Sequence, residues 1–314
     1  MHVSRERLEL AKKRLRSVLQ THGVATARIL EQKISDAGPN DQRIDPHILT
    51  SARNELEAEG EVIYKKPGDA PWYHLVATDP DEVVRRLGIL EPIREDTLKQ
   101  DFRMRAGQAL EIAVFKALRT QTELPFFGSY TNLEEHDDST LYKKEEPPSW
   151  VSGKCIGGGR KFDYLAMDSH AGPVGIEVKN VGEWLYPDQQ GVKDLVSKCC
   201  EVDAVPVLVG RRIPYVTYSV LNPCGVILHQ TYNQRYPNAD RELADQARHK
   251  KLLGYHDIRV GNEPDDRLIT FVHHNLPMVL DRARKQFERN KGVLRAFVGG
   301  GISYGELGAR VRDV

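Results

Sequence analysis

The 314-residue sequence lacks a long hydrophobic run, and it contains only four cysteines. No stretch approaches the length of a membrane span, and the charged segment Met1–Leu10 has no apolar core of the kind that a secretory signal needs. The cysteines form no C-x-x-C pair, and adjacent Cys199 and Cys200 have the wrong spacing for a zinc knuckle. We therefore expect reduced, mostly buried thiols in a cytoplasmic protein that does not use a membrane.

An excess of charge of one sign is also absent, because 45 basic and 45 acidic residues cancel. This balance neither indicates nor excludes a nucleic-acid partner, since attraction to phosphate depends on local patches of charge. Hydrophobic residues make up 40% and charged residues 29% of the chain, which is typical of globular proteins with a sizeable core. The length predicts about two domains.

Residues 1–78 have the pattern of three helices followed by a β-hairpin. The third helix has the clearest start, because Asp45 can cap it and Pro46 fits the first helical position. Gly60 is placed to end that helix. The hairpin strands are predicted at Glu61–Tyr64 and Trp72–Val76, on either side of a turn rich in Lys, Pro and Gly.

This order of elements resembles the winged-helix family, and the segment Leu56–Ile63 is similar to the junction between its third helix and its wing. The resemblance implies an α+β DNA-binding domain over residues 1–78. Polar residues of the third helix would contact base edges or phosphates in a major groove. Lysines in the hairpin turn would contact phosphates. These candidates are His47, Thr50, Arg53, Asn54, Lys65 and Lys66. Many winged helices bind protein instead, and that alternative stays open.

Residues 79–100 are predicted to form a connector of short helical pieces, punctuated by Pro80 and Pro92. Residues 101–314 form the second predicted domain. It begins with a helix through Ala106–Leu118. The tail, from Gly299 onward, is expected to be peripheral. Its other elements are strands near 160–167, 174–180, 204–210, 225–230 and 268–273, and helices near 189–200 and 277–290.

Two acids and an amine are expected to converge on the first two of these strands. The turn Asp168–Pro173 makes the strands a hairpin. Because side chains alternate along a strand, Glu177 and Lys179 share a face, and Asp163 would lie across the hairpin from them. Two carboxylates and the main-chain carbonyl of Val178 make an oxygen site that suits Mg²⁺ or Mn²⁺. Such a site suits phosphodiester hydrolysis, in which the lysine can position or activate water and offset charge.

The pattern Asp163, Glu177, Lys179 resembles the PD-(D/E)XK nuclease superfamily, although Phe162 replaces the proline before the first acid. The resemblance implies an α/β fold, a restriction-endonuclease-like mixed sheet flanked by helices. It also implies that the acids bind metal, that the lysine serves the attacking water, and that Glu111 on the preceding helix adds a further acid. The family's core order is helix, three strands, helix, strand, and residues 100–210 follow it if the third strand is short or lies near Val181–Tyr186.

Four further residues are candidate DNA contacts. Gln190 and Lys193 lie on the helix after the hairpin, where a solvated surface is an equally good interpretation. Arg211 and Arg212 follow the next strand and could bind phosphate as fixed cations, or they could be ordinary surface arginines.

We expect, from these features, a Mg²⁺-dependent restriction-type endonuclease acting on DNA, and a homodimer if it cuts both strands. One alternative is a structure-specific repair or recombination nuclease such as a Holliday junction resolvase. Another is a DNA-binding regulator with an inactive nuclease-like domain.

Overall fold

The structure is a computed structural model, and it describes residues 5–35, 43–121 and 123–312. The chain divides into two compact units. The first comprises Met1–Arg103 and Arg241–Ile258, and the second comprises Met104–Asp240 and Arg259–Val314. In the described residues, no helix combines the length and the apolar character that crossing a membrane requires.

The helices of the described residues follow one another along the whole chain. They are α1 (Arg5–His22), α2 (Ala27–Ile34), α3 (Pro46–Ala58), α4 (Pro80–Asp96), α5 (Gln100–Arg119), α6 (Gln190–Val202), α7 (Tyr215–Leu221), α8 (Arg241–Arg248), α9 (Asp266–Thr270), α10 (Leu276–Val298) and α11 (Tyr304–Arg312).

Most strands of the described residues lie in the second unit. They are β1 (Val62–Lys65), β2 (Trp72–Leu75), β3 (Phe126–Phe127), β4 (Ser129–Tyr130), β5 (Lys144–Glu145), β6 (Trp150–Val151), β7 (Lys154–Cys155), β8 (Tyr164–Asp168), β9 (Gly172–Lys179), β10 (Val205–Gly210), β11 (Ile227–Gln230), β12 (Gln234–Tyr236) and β13 (Ile258–Val260).

The first unit contains the predicted three helices and hairpin. α3 begins at Pro46, with Asp45 in the N-cap position, although the Asp45 side chain makes no capping hydrogen bond. Gly60 follows α3 with a φ of +73°, which a residue without a Cβ adopts at little cost. β1 and β2 then pair antiparallel. The element prediction for this region is confirmed, whereas its assignment to the winged-helix family stays a prediction.

The predicted connector is one continuous helix, so the expectation of separate short pieces is wrong. Asp79 accepts a hydrogen bond from the backbone N–H of Asp81 and caps α4, and Pro92 lies inside the helix. Beside that proline the buried Glu91 carboxylate accepts a hydrogen bond from Trp72 Nε1 at 2.7 Å. This contact within the first unit holds the helical turn that contains Pro92.

Residues 241–258 were predicted in the second domain, but they belong to the first unit. α8 packs against α4, and the Arg28 guanidinium lies 3.9 Å from the centroid of the Tyr255 ring. The sequence shows no sign of this return, because the contacts join segments that are far apart in the chain.

The second unit is built on a mixed five-stranded sheet with the order β11-β10-β9-β8-β3. β8 and β9 are antiparallel, whereas β9, β10 and β11 run parallel to one another. Ile176 and Val178 of β9 pack into one apolar cluster with α5, and Phe162 and Leu208 belong to a second cluster with α6. Helices therefore flank a mixed sheet, as the α/β expectation required.

Two predicted strands are wrong. Val181–Tyr186 contains no strand, and the short strand β3 instead precedes the hairpin and pairs with β8. The segment 268–273 is helical, because Asp265 caps α9 by accepting from the Leu268 N–H, and a π-helical turn at Phe271–Asn275 continues into α10. Its β-branched and aromatic residues resemble a strand locally, but helical spacing places them in one core.

The tail was expected to be peripheral, but the structure corrects this. It forms α11, whose Leu307 is fully buried in the cluster with α6.

Candidate active site

The hairpin of β8 and β9 brings the first acid beside the second, as predicted. The Asp163 backbone N–H donates to the Ile176 carbonyl at 3.1 Å. The Val178 backbone N–H donates to Asp163 Oδ2 at 2.7 Å. Asp168 stabilises the turn, because its Oδ1 accepts from the backbone N–H groups of His170 and Ala171. A local turn and a two-residue alternation are therefore enough to place the two carboxylates together.

Glu177 is buried between two lysines. Its Oε2 accepts from Lys179 Nζ at 2.7 Å, and its Oε1 accepts from Lys198 Nζ of α6. Lys198 also donates to the Lys161 carbonyl at 2.7 Å. Burial, followed by the negative charge of Asp163, raises the pKa of Glu177, while the two lysines act in the opposite direction. Hydrogen bonds from two ammonium groups thus offset the free-energy cost of burying the Glu177 carboxylate.

A third lysine joins Glu111 to Asp163. Lys144 Nζ donates to Glu111 Oε2 at 2.7 Å and to Asp163 Oδ1 at 3.1 Å. The Tyr130 hydroxyl also donates to Glu111 Oε2, at 2.8 Å. Burial, and then the charge of Asp163, raises the pKa of Glu111. The acid that the resemblance placed on the preceding helix therefore reaches the same site through Lys144.

We call this group the acid–lysine cluster: Glu111, Asp163 and Glu177 with Lys144, Lys179 and Lys198. Burial lowers the pKa of Lys179, but the charges of Glu177 and Asp163 outweigh burial and leave it raised. The same balance raises the pKa of Lys144, where the charges of Asp163 and Glu111 overcome burial. Both lysines are therefore cations at neutral pH, and they act as fixed positive charges and hydrogen-bond donors.

The donor set of the predicted metal site is chemically suited to a hard divalent cation. Asp163 and Glu177 supply carboxylate oxygens side by side, and the Val178 carbonyl is the third predicted ligand. In the described part of the chain, no three His, Cys, Asp or Glu side chains are grouped to hold a metal ion. A site here would thus use two carboxylates and a backbone oxygen. Lysine and backbone N–H groups contact all four of those carboxylate oxygens.

The predicted contacts on α6 do not join the cluster. Gln190 is exposed at the start of the helix, and the Lys193 ammonium lies 5.3 Å from the centroid of the Phe297 ring. Gly191 is the α6 residue that approaches Lys179, since a Cβ there would lie 3.4 Å from Lys179 Cε.

Arg211 and Arg212 are buried, which corrects both the phosphate-contact and the surface-arginine interpretations. Arg211 donates to the Gly182 carbonyl. The Arg212 guanidinium lies 5.9 Å from the Trp184 ring centroid and 5.2 Å from that of Tyr232. Each guanidinium is thus held by contacts within the second unit rather than displayed as an exposed cation.

The candidates in the first unit differ in exposure. Thr50, Asn54, Lys65 and Lys66 are exposed, and His47 is half-buried. Arg53 is held by its own unit, because its guanidinium lies 4.5 Å from the Tyr73 ring centroid and 3.3 Å from the Glu57 carboxylate. The lysines of the hairpin turn are therefore more accessible to a partner than Arg53.

Sequence reasoning missed Lys144 and Lys198. Lys198 did carry a signal, since it falls between Leu195 and Val202 on the apolar face of α6, where a charged residue needs a buried partner. Lys144 lies in a polar stretch with many charged neighbours, and nothing local marks it. The cysteines match expectation in part: all four are free, and three are buried, but Cys155 is exposed.

No family model matches this chain, and neither a curated protein nor a solved structure matches it.

Proposed function

We propose that the chain is a divalent-metal-dependent endonuclease that hydrolyses DNA phosphodiester bonds, of the restriction type. The observation that carries this proposal is the convergence of Asp163, Glu177 and Lys179 at one hairpin of a mixed sheet. When only the strands of the five-stranded sheet are counted, the order α5, β3, β8, β9, α6, β10 supports it, because helix, three strands, helix and strand is the core order of the PD-(D/E)XK nucleases. A restriction-endonuclease-like fold and membership of that superfamily are part of the same proposal.

Asp163 and Glu177, with the Val178 carbonyl, would hold Mg²⁺ or Mn²⁺ in this site. When bound, the metal supplies Lewis-acid activation of the phosphate and of water. The residues of the chain position the reacting groups. Lys179 Nζ donates to Glu177 Oε2, and this contact would hold its positive charge near the phosphate, where negative charge develops during hydrolysis. Glu111 contributes a further acid, and Lys144 sets its distance from Asp163.

DNA recognition is assigned, in this proposal, to the first unit as a winged-helix domain. Its exposed polar residues on α3, Thr50 and Asn54, would contact the major groove. Lys65 and Lys66 at the hairpin turn would contact phosphates. A single site of this kind cuts one strand, so double-strand cutting would require a homodimer.

The first test is cleavage by the wild type and by Lys179→Ala. The substrates are unmethylated plasmid, methylated plasmid and a four-way junction, each with Mg²⁺, Mn²⁺ or EDTA. Removing Lys179 should lower the cleavage rate about 10²-fold or more, the range for loss of a positioned catalytic group. Lys285→Ala, on the exposed face of α10, is the matched control and should cut like the wild type. Undiminished cleavage by Lys179→Ala would refute the catalytic assignment.

The same assay separates restriction from junction resolution. Discrete fragments from plasmid indicate sequence recognition, whereas cutting confined to the four-way junction, whatever its sequence, indicates a structure-specific nuclease.

One observation favours a second candidate, a DNA-binding regulator with an inactive nuclease-like domain. Protein donors contact all four oxygens of Asp163 and Glu177, so the charge of both acids is compensated without a metal. Tight DNA binding without hydrolysis under Mg²⁺ or Mn²⁺ would support this candidate over the nuclease.

A further inference from the structure

A pocket of about 390 Å³ lies beside β11 in the second unit. Its volume is at the small end of the range for ligand sites, roughly 300 to 1,000 Å³. None of its lining residues belongs to the acid–lysine cluster, so phosphodiester hydrolysis does not explain them. The residues that matter here are Tyr218, His229, Gln230, Tyr232, Arg267 and Asn275.

Gln230 of this pocket lies at the same end of the parallel strands as the proposed catalytic lysine. Gly210, the last residue of β10, pairs with Lys179 on one side and with Gln230 on the other. Those three residues therefore lie in a row across three parallel strands. At about 5 Å between neighbouring strands, the backbones of Lys179 and Gln230 are about 10 Å apart. A DNA strand bound at the acid–lysine cluster would therefore have the Gln230 side of the pocket within about 10 Å of the Lys179 backbone.

One wall is formed by the aromatic ring of Tyr232, with two guanidinium groups beside it. Arg212 lies 5.2 Å from the Tyr232 ring centroid, and Arg267 lies 4.8 Å from it. Tyr232 is 41% exposed, and its φ is +64°, which is rare for a residue with a side chain. Backbone strain of this kind is concentrated at ligand and catalytic sites. The fold thus presents an exposed ring beside an exposed arginine.

Two titratable side chains of the lining, His229 and Tyr218, are neutral at physiological pH. Burial lowers the pKa of His229 to about 4, and its ring stacks on Phe271 with centroids 4.1 Å apart. Burial also raises the pKa of Tyr218 to about 12. The Asn275 amide and the Nε2 group of Gln230, whose Oε1 already accepts from the Ile213 N–H, add further uncharged hydrogen-bonding groups. Asp266 also lines the pocket, and its carboxylate can accept from an amino group.

We propose that this pocket binds a single nucleobase that has left the DNA stack, with Tyr232 as its stacking partner and Arg267 beside the attached phosphate. A nucleobase is a flat heteroaromatic ring that can stack on the Tyr232 ring, and its uncharged edges can hydrogen bond to the neutral polar groups. The phosphate attached to the base is an anion that the Arg267 guanidinium can contact. The inference rests on the proposed function in one respect: the strand that supplies the base is the substrate of the nuclease.

The test measures binding of the full chain, in Ca²⁺, to two duplexes that differ only in one unpaired base. Anisotropy gives the affinities, and 2-aminopurine at the unpaired position reports stacking. The wild type should bind the duplex with the unpaired base about tenfold more tightly, as expected for stacking of one base. Tyr232→Leu should lose that preference while keeping its affinity for the paired duplex. Tyr232→Phe keeps the ring and should retain the preference.

Arg267→Met is a second variant that alters only an exposed side chain, and it should weaken the preference several-fold. Equal wild-type affinity for the two duplexes, or no DNA binding at all, would overturn the inference. A deoxynucleoside monophosphate that binds in a Tyr232-dependent way without any duplex preference would instead show a free-nucleotide site, which also overturns it. Metal-dependent cleavage is scored separately. A Tyr232-dependent preference without cleavage would leave the inference intact and refute only the nuclease.

Discussion

The acid–lysine cluster and the hairpin turn of the first unit both carry lysines, but in opposite surroundings. In the cluster, Lys198 is 4% exposed at its side chain and contacts Glu177, which is 5% exposed. In the turn, Lys65 and Lys66 are exposed. A buried charge needs its partner because the interior does not solvate it, whereas an exposed charge is solvated whether or not it is paired. The same residue type therefore supports structure in one region and is accessible for binding in the other.

The largest effect that would test this contrast is removal of the buried cation. Lys198→Met should lower the free energy of unfolding by about 3 kcal/mol or more, because Glu177 would keep its charge with one partner fewer. Urea denaturation measures the change. Adding Glu177→Gln to Lys198→Met should restore much of the loss, since a neutral amide at this position does not require a second cation.

The matched control for Lys198→Met is Lys285→Met, which removes an exposed lysine from an ion pair on α10. Its effect should stay within about 0.5 kcal/mol. Equal losses from the two variants would contradict the distinction between buried and exposed lysines.

A smaller effect should appear in the dependence of stability on pH. Burial, and then the charge of Asp163, raises the pKa of Glu177, so the folded chain holds this proton to a higher pH than the unfolded chain. The free energy of unfolding should therefore fall as pH rises from about 4.3, the pKa of an unperturbed glutamate, to the raised value. Glu177→Gln should flatten this part of the curve, measured by urea denaturation at a series of pH values.

The control is Glu288→Gln, at an exposed position of α10. It shows how much the loss of an exposed carboxylate changes the dependence of the free energy of unfolding on pH. If Glu177→Gln and Glu288→Gln gave superimposable curves, the pH dependence would not come from Glu177.

The smallest change in stability should come from the exposed turn. Lys65→Ala with Lys66→Ala should alter the free energy of unfolding by less than about 0.5 kcal/mol. Under the proposed function, however, it should weaken DNA binding and reduce the slope of log affinity against log salt by roughly 1 to 2. The control pair is Lys13→Ala with Lys99→Ala, two exposed lysines outside the turn. An equal loss of slope from both pairs would remove the specific role of Lys65 and Lys66.

Local patterns account for the parts of the fold that the sequence predicted. The hairpin of β8 and β9 follows from a two-residue alternation on each side of Asp168–Pro173, and α3 follows from Pro46 and Gly60 at its ends. The errors arose where distant contacts outweighed a local pattern. The segment 268–273 is rich in strand-forming residues, yet helical spacing buries Leu268, Phe271 and Val272 in one core. Pro92, read from the sequence as a break between helical pieces, lies inside α4, where the adjacent Glu91 accepts a hydrogen bond from Trp72.

The sequence by itself determined the hairpin that sets Asp163 beside Glu177 and Lys179, because a turn and strand alternation act over fewer than twenty residues. Only the tertiary structure decided what surrounds these acids. Lys144 reaches Glu111 across 33 positions of the chain, and Lys198 reaches Glu177 across 21. Tyr232 and Arg267, which both line the pocket, are likewise brought together by packing. Such contacts depend on how the helices pack on the sheet, and packing is a property of the assembled unit rather than of any local segment.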